Sequence, residues 1–315
     1  MHRTTREGGV ECLVIGGGPA GLAAAVYLAR FRRDVVVVDG GASRASWIPV
    51  SHNIVGFPEG VSGPDLLARL RVQATEYGAR IVAGEVTALR RTDAGFEAEV
   101  ECGVQRAQRV LLATGGLDVE PELPGIRDAV RRGLVRYCPI CDAYEVAGRK
   151  VALIAFGKCR IREALLLRGY THDLTVLTLG RQMEMSAADR RTLEEAGVRV
   201  LEAPVTGLDV RGDSIAAWQM GDGSAHRFDT IYSALGTRVR SGLATALGAA
   251  ADEDGALLVD RHQQTTVTGL FAAGDVVAGL SQVSVASGHA AVAATHMNAS
   301  LPFARAKPGG GSELT

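Results

Sequence analysis

Gly16-Gly17-Gly18-Pro19-Ala20-Gly21 stands between a short apolar run, Cys12-Leu13-Val14-Ile15, and the alanine- and leucine-rich stretch Leu22 to Ala29. An apolar run of that length reads as a buried parallel strand, so the order is strand, glycine-rich turn, helix. Gly16 permits the tight turn, Gly18 lets the backbone approach a pyrophosphate, and Gly21 lets the helix pack closely on the strand. The helix N-terminus directs its amides and the positive end of its dipole at the same point. A second strand, Val35-Val36-Val37-Val38-Asp39, ends in a carboxylate eighteen residues past Gly21, positioned to accept hydrogen bonds from a ribose. This βαβ pattern predicts a dinucleotide-binding fold, with Gly16, Gly18, Pro19, Ala20, Gly21 and Asp39 as candidate contacts.

The chemistry points to Tyr137-Cys138-Pro139-Ile140-Cys141-Asp142. Two cysteines at this spacing can close a small disulfide ring. The thiolate is the reactive form of cysteine, so a dithiol that opens and closes needs a proton acceptor nearby. Asp142 is placed to be that acceptor. The other reading of such a pair is half of a structural zinc site, which requires two more ligands at similar spacing. Cys12, Cys102 and Cys159 are single and scattered, so redox chemistry is favoured and no metal ligands are assigned.

Composition bounds the rest. A chain of 315 residues with 47% apolar content has room for two ordinary domains with substantial cores. Lysine plus arginine (34) balances aspartate plus glutamate (35), which argues against a nucleic-acid partner. The polar N-terminus carries no signal segment and no apolar run reaches membrane-spanning length, so a soluble cytoplasmic protein is expected. In that compartment a Cys-x-x-Cys pair is more often catalytic or metal-binding than structural. The glycine-rich tail from Lys307 reads as disordered.

Two further strand-to-glycine turns flank the cysteine pair: Val110 to Gly116, and Gly269 to Gly274 followed by Asp275. With the N-terminal fingerprint they resemble the three FAD-contacting segments of two-dinucleotide-domain flavoproteins. The position of Cys138 and Cys141, the stretches Asn53 to Gly63 and Glu122-Leu123-Pro124-Gly125, and Gln282-Val283 extend the likeness. The chain resembles the low-molecular-weight thioredoxin reductases from about Val10 to Pro302.

The resemblance implies an α/β fold of two Rossmann-like dinucleotide-binding domains of the three-layer ββα type. The FAD domain would be split, residues 1–117 and 241–302, by an inserted NAD(P)-binding-like domain, 118–240, that carries the cysteines, with a flexible tail from 303. It implies FAD held at Thr114, Gly115, Gly274 and Asp275 as well, Asn53 near the isoalloxazine, Val86 near the adenine, and Gln282 and Val283 at the pyrimidine edge. The helix from about Gln282 to Asn298 would point a positive end at the reduced flavin. Cys141 would face the flavin, Cys138 would attack the substrate disulfide, and Asp142 would be the acid/base. A homodimer formed by the FAD domains follows on the same ground.

The chain also departs from that pattern. Gly41 to Trp47 replaces the usual glycine-glycine-glutamine segment, leaving Trp47 either beside the flavin or as an ordinary core or surface residue. Ser281 stands where an arginine is expected. In the inserted part, Val151 to Ile154 and Arg162 to Arg168 read as strand and helix, but their turn is Ala155-Phe156-Gly157-Lys158-Cys159-Arg160. Of the fingerprint only the middle glycine remains, as Gly157; Ala155 resists the positive φ that glycine supplies, and Arg160 stands where a glycine normally permits close helix–strand contact. The next strand, Leu174 to Thr178, ends in Leu179-Gly180-Arg181 without a ribose carboxylate or a paired arginine motif. Ser186 and Asp189 read as a helix cap. The domain therefore reads as a scaffold that has lost ordinary NAD(P)H binding. The opposing reading has Lys158, Arg160, Arg162 and Arg181 holding phosphates by charge.

Three functions stay open: a disulfide reductase fed by ferredoxin or a reduced flavin; an O2-dependent dithiol oxidase that forms disulfides; and a non-catalytic redox sensor. Oxidases resembling this family carry a histidine after the second cysteine, so Asp142 leans toward the reductase, and no appended interaction segment supports the sensor. The partner would be a thioredoxin-like protein or a small-molecule disulfide or dithiol. The histidines, among them His52, His262, His289 and His296, are spread singly. His289 falls in the flavin helix, where a proton relay or a plain half-exposed side chain are both open. Cys12 and Cys102 read as inert core.

Overall fold

The computed structural model describes residues 9–101, 103–158, 161–211, 214–220 and 225–303. Cys102, Cys159, Arg160 and the expected tail beyond Phe303 lie outside them. The chain divides into two compact units, Met1–Ser43 with Leu67–Gly116 and Val239–Thr315, and Arg44–Leu66 with Leu117–Arg238.

The first unit is built on β1 (Val10–Ile15), α1 (Pro19–Arg30), β2 (Val35–Asp39), α2 (Gly63–Glu76, from Leu67 on), β3 (Arg80–Ala83), β4 (Val86–Thr92), β5 (Gly95–Val100) and β6 (Gly103–Leu112). These strands form one sheet in the order β3-β2-β1-β6-β5-β4, and Leu270–Ala272 pairs with the end of β6. The four valines of β2 are continuous because both faces of the strand are covered. Val35 and Val37 join Cys12, Val14, Leu111 and Phe271 under α1 and the helix Val283–Ala299, while Val36 and Val38 join Leu13, Ile15, Val110 and Leu112 on the other side. Alanines make the helix contact close: Ala24 and Ala25 of α1 share a core with Ala290, Ala293 and Ala294. Cys12 lies at zero exposure in that core, and burial pushes its thiol up to about 12, so it is inert.

The second unit has a parallel sheet in the order Arg199–Leu201, Asp173–Leu177, Lys150–Ile154, Thr230–Ser233, Val135–Arg136. The helices Ile161–Arg168 and Ala187–Glu195 make two of its crossovers. The second of these starts as the sequence predicts. Ser186 Oγ accepts from the Asp189 amide at 3.1 Å and the Asp189 carboxylate accepts from the Ser186 amide at 3.2 Å, a reciprocal cap. A three-stranded antiparallel sheet, Val205–Arg211, Ser214–Met220 and Ala225–Phe228, completes the unit.

Within the expected stretch 1–117, Arg44–Leu66 groups with the second unit. Arg44 pairs with Asp118 at 2.6 Å, His52 with Glu145 at 3.1 Å, and the Arg131 guanidinium lies 5.3 Å from the Trp47 ring centroid. Trp47 is a surface tryptophan covered by a cation. Among the described residues no helix is long and apolar enough to cross a membrane.

The first unit closes around Arg33. Its side chain is 3% exposed and donates to the Asn298 side chain (2.7 Å), the Pro302 carbonyl (2.8 Å) and Glu11 (2.8 Å). It therefore binds the start of β2 to the end of the last helix. Arg33→Ala strips partly buried acceptors of a buried, charged donor and is expected to destabilise the protein by about 3 kcal/mol in urea denaturation. A loss below about 1 kcal/mol would show that water replaces the guanidinium without cost.

Candidate functional site

The edge strand Val135–Arg136 delivers the chain to the cysteines. Pro139 starts a single helical turn, Pro139–Asp142, a position that suits its fixed φ and missing amide. The turn brings Cys138 and Cys141 together as a disulfide, Cα atoms 5.3 Å apart, with the Cys141 amide donating to the Cys138 carbonyl at 3.0 Å. Both cysteines are half-buried, and Ile140 between them is exposed.

Asp142 closes the turn, and two neighbouring strands hold its carboxylate. The Tyr232 hydroxyl donates to Oδ1 at 2.7 Å, and Arg136 Nη1 lies 3.2 Å from Oδ2. Burial pushes the Asp142 carboxyl above its usual range, against the pull of the Arg136 guanidinium and the Tyr232 hydroxyl. Burial and the adjacent carboxylate push the Tyr232 hydroxyl well up, so it stays a donor. The next turn, Ala143–Val146, carries Glu145, whose Oε1 meets His52 Nδ1 at 3.1 Å while its Oε2 is buried without a hydrogen-bond partner.

Neither Tyr232 nor Arg136 is picked out by sequence reasoning. The available signals are weak: an arginine two residues before Cys138, and a tyrosine in the buried run Thr230–Ser233. The histidines, single in sequence, are not single in space. His52 has Glu145, and the rings of His262 and His296 stack at 4.0 Å. His289 lies in the last helix, with its Nδ1 buried without a partner and its pKa lowered by burial.

The glycine fingerprint lies in the first unit. Gly16 takes φ +115°, and a Cβ there would fall 2.2 Å from the Ala113 carbonyl oxygen. A Cβ on Gly21 would fall 1.9 Å from the Gly16 oxygen, which is why helix and strand touch. Gly18 is the N-cap of α1, with no side-chain cap and no acidic residue in the first turn. A Cβ there would meet only Ser43 Oγ, at 3.2 Å. Pro19 and Ala20 open the helix. The front of this turn is thus bare backbone facing a positive helix end, and a pyrophosphate fits it.

Asp39 ends β2, 7% exposed, accepting from the Gly41 amide at 2.9 Å and paired with Arg71 of α2. Arg71 is a neighbour that the sequence did not reveal. Thr114 and Gly115 follow β6, with the Thr114 hydroxyl donating to the Arg240 carbonyl at 2.6 Å. Gly274 has φ +79°, a Cβ there would fall 2.9 Å from that of Ala20, and Asp275 follows. Gln282 is the N-cap of the helix that begins at Val283, and Val86 is buried at the start of β4. Asn53 belongs to the second unit, where its side-chain oxygen accepts from Ser51 Oγ at 2.8 Å.

The second unit repeats this βαβ geometry with different residues. The Gly16 amide donates to Val38 in the first unit, and the Ala155 amide donates to Leu177 in the second, so Ala155 stands where Gly16 stands. Ala155 does not enter the left-handed region. Beyond it Gly157–Lys158 forms a parallel ladder with Met183–Glu184, and the Arg181 guanidinium sits 4.6 Å from the Phe156 ring centroid.

The chain belongs to the pyridine nucleotide-disulphide oxidoreductase family, which matches residues 10–290. It is a flavin-dependent disulfide oxidoreductase of thioredoxin reductase type. A thioredoxin reductase of Treponema pallidum is 30% identical over 296 residues, covering 90% of this chain and 94% of that protein. A protein of Claviceps purpurea named thioredoxin reductase tcpT is 32% identical, covering 93% and 95%. Among solved structures, that of HlmI superposes with a TM-score of 0.87 at 33% identity, covering 95% of this chain and 94% of that one.

The Gly18 geometry yields a test of the cradle. Its φ of −80° suits any residue, and an aspartate there can cap α1. Gly18→Asp is therefore expected to fold with an unchanged circular dichroism spectrum yet purify colourless, while the parent is yellow with one FAD per chain. A yellow Gly18→Asp protein would remove the fingerprint from the flavin site.

Proposed function

We propose that the protein passes electrons between FAD and a substrate disulfide through Cys138 and Cys141, and that its reductant is not NADPH but an iron–sulfur protein of ferredoxin type or a reduced flavin. The observation that carries the choice of donor is the ladder between Gly157–Lys158 and Met183–Glu184. In a Rossmann unit the dinucleotide runs between the turn after the first strand and the loop after the second. Here backbone from those two places is joined, Phe156 and Arg181 stack beside the join, and Ala155 replaces the glycine.

FAD would be held at Gly16, Gly18, Pro19, Ala20, Gly21, Asp39, Thr114, Gly115, Gly274 and Asp275, with Val86, Gln282 and Val283 as further contacts, and would supply a two-electron carrier. In the reduced dithiol the Cys138 thiolate attacks one sulfur of the substrate disulfide, forming a mixed disulfide and expelling the first substrate thiolate. The Cys141 thiolate then attacks Cys138 Sγ, restoring the internal disulfide and expelling the second. Asp142 takes the proton released when a cysteine ionises and returns it to a departing thiolate. The substrate gains two electrons and two protons, and the pair loses them. A thioredoxin-like protein or a small-molecule disulfide suits this exchange.

Anaerobic titration of the holoenzyme tests the reading. Micromolar NADPH or NADH is expected to leave the flavin absorbance nearly unchanged, whereas a strong dithiol bleaches it. Cys141→Ser is expected to slow the dithiol reaction by roughly a thousandfold while FAD stays bound. Rapid, saturable bleaching by NADPH would defeat the assigned donor, and an unaffected Cys141→Ser would defeat the assigned dithiol.

A further inference from the structure

Val135–Arg136 and Thr230–Ser233 are neighbouring parallel strands, with Tyr232 paired in register to Arg136. Residues opposite each other on adjacent strands project to the same face of a sheet. The two side chains therefore leave that face together, and both end on Asp142. Tyr232 donates to Oδ1 at 2.7 Å and to the Asp142 carbonyl at 3.1 Å, and Arg136 reaches Oδ2 at 3.2 Å. Arg136 is itself braced, its Nε donating to the Gly133 carbonyl at 3.1 Å. Tyr232 is fully buried, so its hydroxyl has no freedom to turn to water.

We infer that Tyr232 and Arg136 are positioning residues for Asp142, fixing its carboxylate on the dithiol turn. This rests on Asp142 being the proton acceptor of Cys138 and Cys141. A half-buried carboxyl on a short turn would otherwise rotate and protonate readily, since burial penalises the charged form. Two donors, one of them cationic, oppose both tendencies.

The charged groups around Asp142 set the sign of the effect. Arg136 and the Tyr232 hydroxyl favour its carboxylate, and burial and Glu145 disfavour it. Glu145 carries His52 on its other side. The helix Ile161–Arg168, packed near this turn, brings Arg162, Glu163 and Arg168, and Arg168 is engaged with the carbonyls of Thr171 and Ala196. Removing the Tyr232 hydroxyl or the Arg136 charge takes support from the carboxylate alone. Asp142 then holds its proton to higher pH, and the acid limb of dithiol reactivity moves upward.

The test is the pH profile of one reaction: holoenzyme reduced beforehand with dithionite, mixed with a nitroaromatic disulfide that releases a coloured thiolate. Tyr232→Phe is expected to shift the acid limb upward, lowering the rate roughly tenfold near pH 6 and little above about pH 8. Arg136→Gln is expected to shift it further, and Arg136→Lys, which keeps the charge, to recover most of the loss. A uniform fall at all pH values, with the limb in place, would make both residues structural and overturn the inference. Asp142→Asn separates this from the underlying reading. If it abolishes the limb while Tyr232→Phe and Arg136→Gln leave it unmoved, the positioning role fails alone. If Asp142→Asn keeps the parental limb, the assignment of Asp142 as proton acceptor fails and takes the inference with it.

Discussion

A parallel sheet covered on both faces leaves a protein few places to do chemistry, and this constraint orders both units. The strands Val35–Asp39 and Lys150–Ile154 have no free face, so their side chains serve packing. What remains polar collects where strands end. Asp39 terminates β2, and Arg136 and Tyr232 reach Asp142 from the ends of two adjacent strands. Crossover helices start from the same edge, which adds amide donors and a dipole to the side chains gathered there. The glycine cradle and the dithiol turn are thus two uses of one edge, in two separate units.

The parts of this design that depend on backbone conformation were legible in the sequence. Gly16 and Gly21 can be read because no other residue tolerates the Cβ contacts at those positions, so the requirement is written as a residue type. The capping of Ala187–Glu195 by Ser186 and Asp189 is readable because it is local. Cys138, Cys141 and Asp142 are adjacent, and their chemistry follows from that adjacency. Tyr232 was not legible, since its role comes from strand pairing across almost a hundred residues of chain. The pairs Arg71 with Asp39 and His52 with Glu145 are likewise set by tertiary structure, not by neighbouring sequence. The grouping of Arg44–Leu66 with the second unit leaves no composition shift to read; it shows in pairings with Asp118, Glu145 and Arg131.

The two βαβ turns start alike and then diverge. Both begin with the same hydrogen bond, Gly16 to Val38 and Ala155 to Leu177. In the first, glycines at each close approach leave bare backbone in front of α1. In the second, an alanine and a phenylalanine follow the strand, and the chain continues into a ladder with Met183–Glu184. The fold persists because the sheet and helices beneath are packed independently of the turn. The dithiol of the same unit lies on a separate turn, Pro139–Asp142.

The chain's passage between the units has a consequence of its own. In the second unit the Val119 amide donates to Gly236 at 2.9 Å, and in the first the Arg240 amide donates to Gly115 at 2.9 Å. Residues 117–238 therefore leave and rejoin their host at positions one hydrogen bond apart. Closing so small a gap costs little loop entropy, and the host's strands do not depend on what lies between. The second unit also takes in Arg44–Leu66, which leaves and rejoins the host separately, so the two units alternate twice along the chain while Arg33 clasps the host's N- and C-terminal segments.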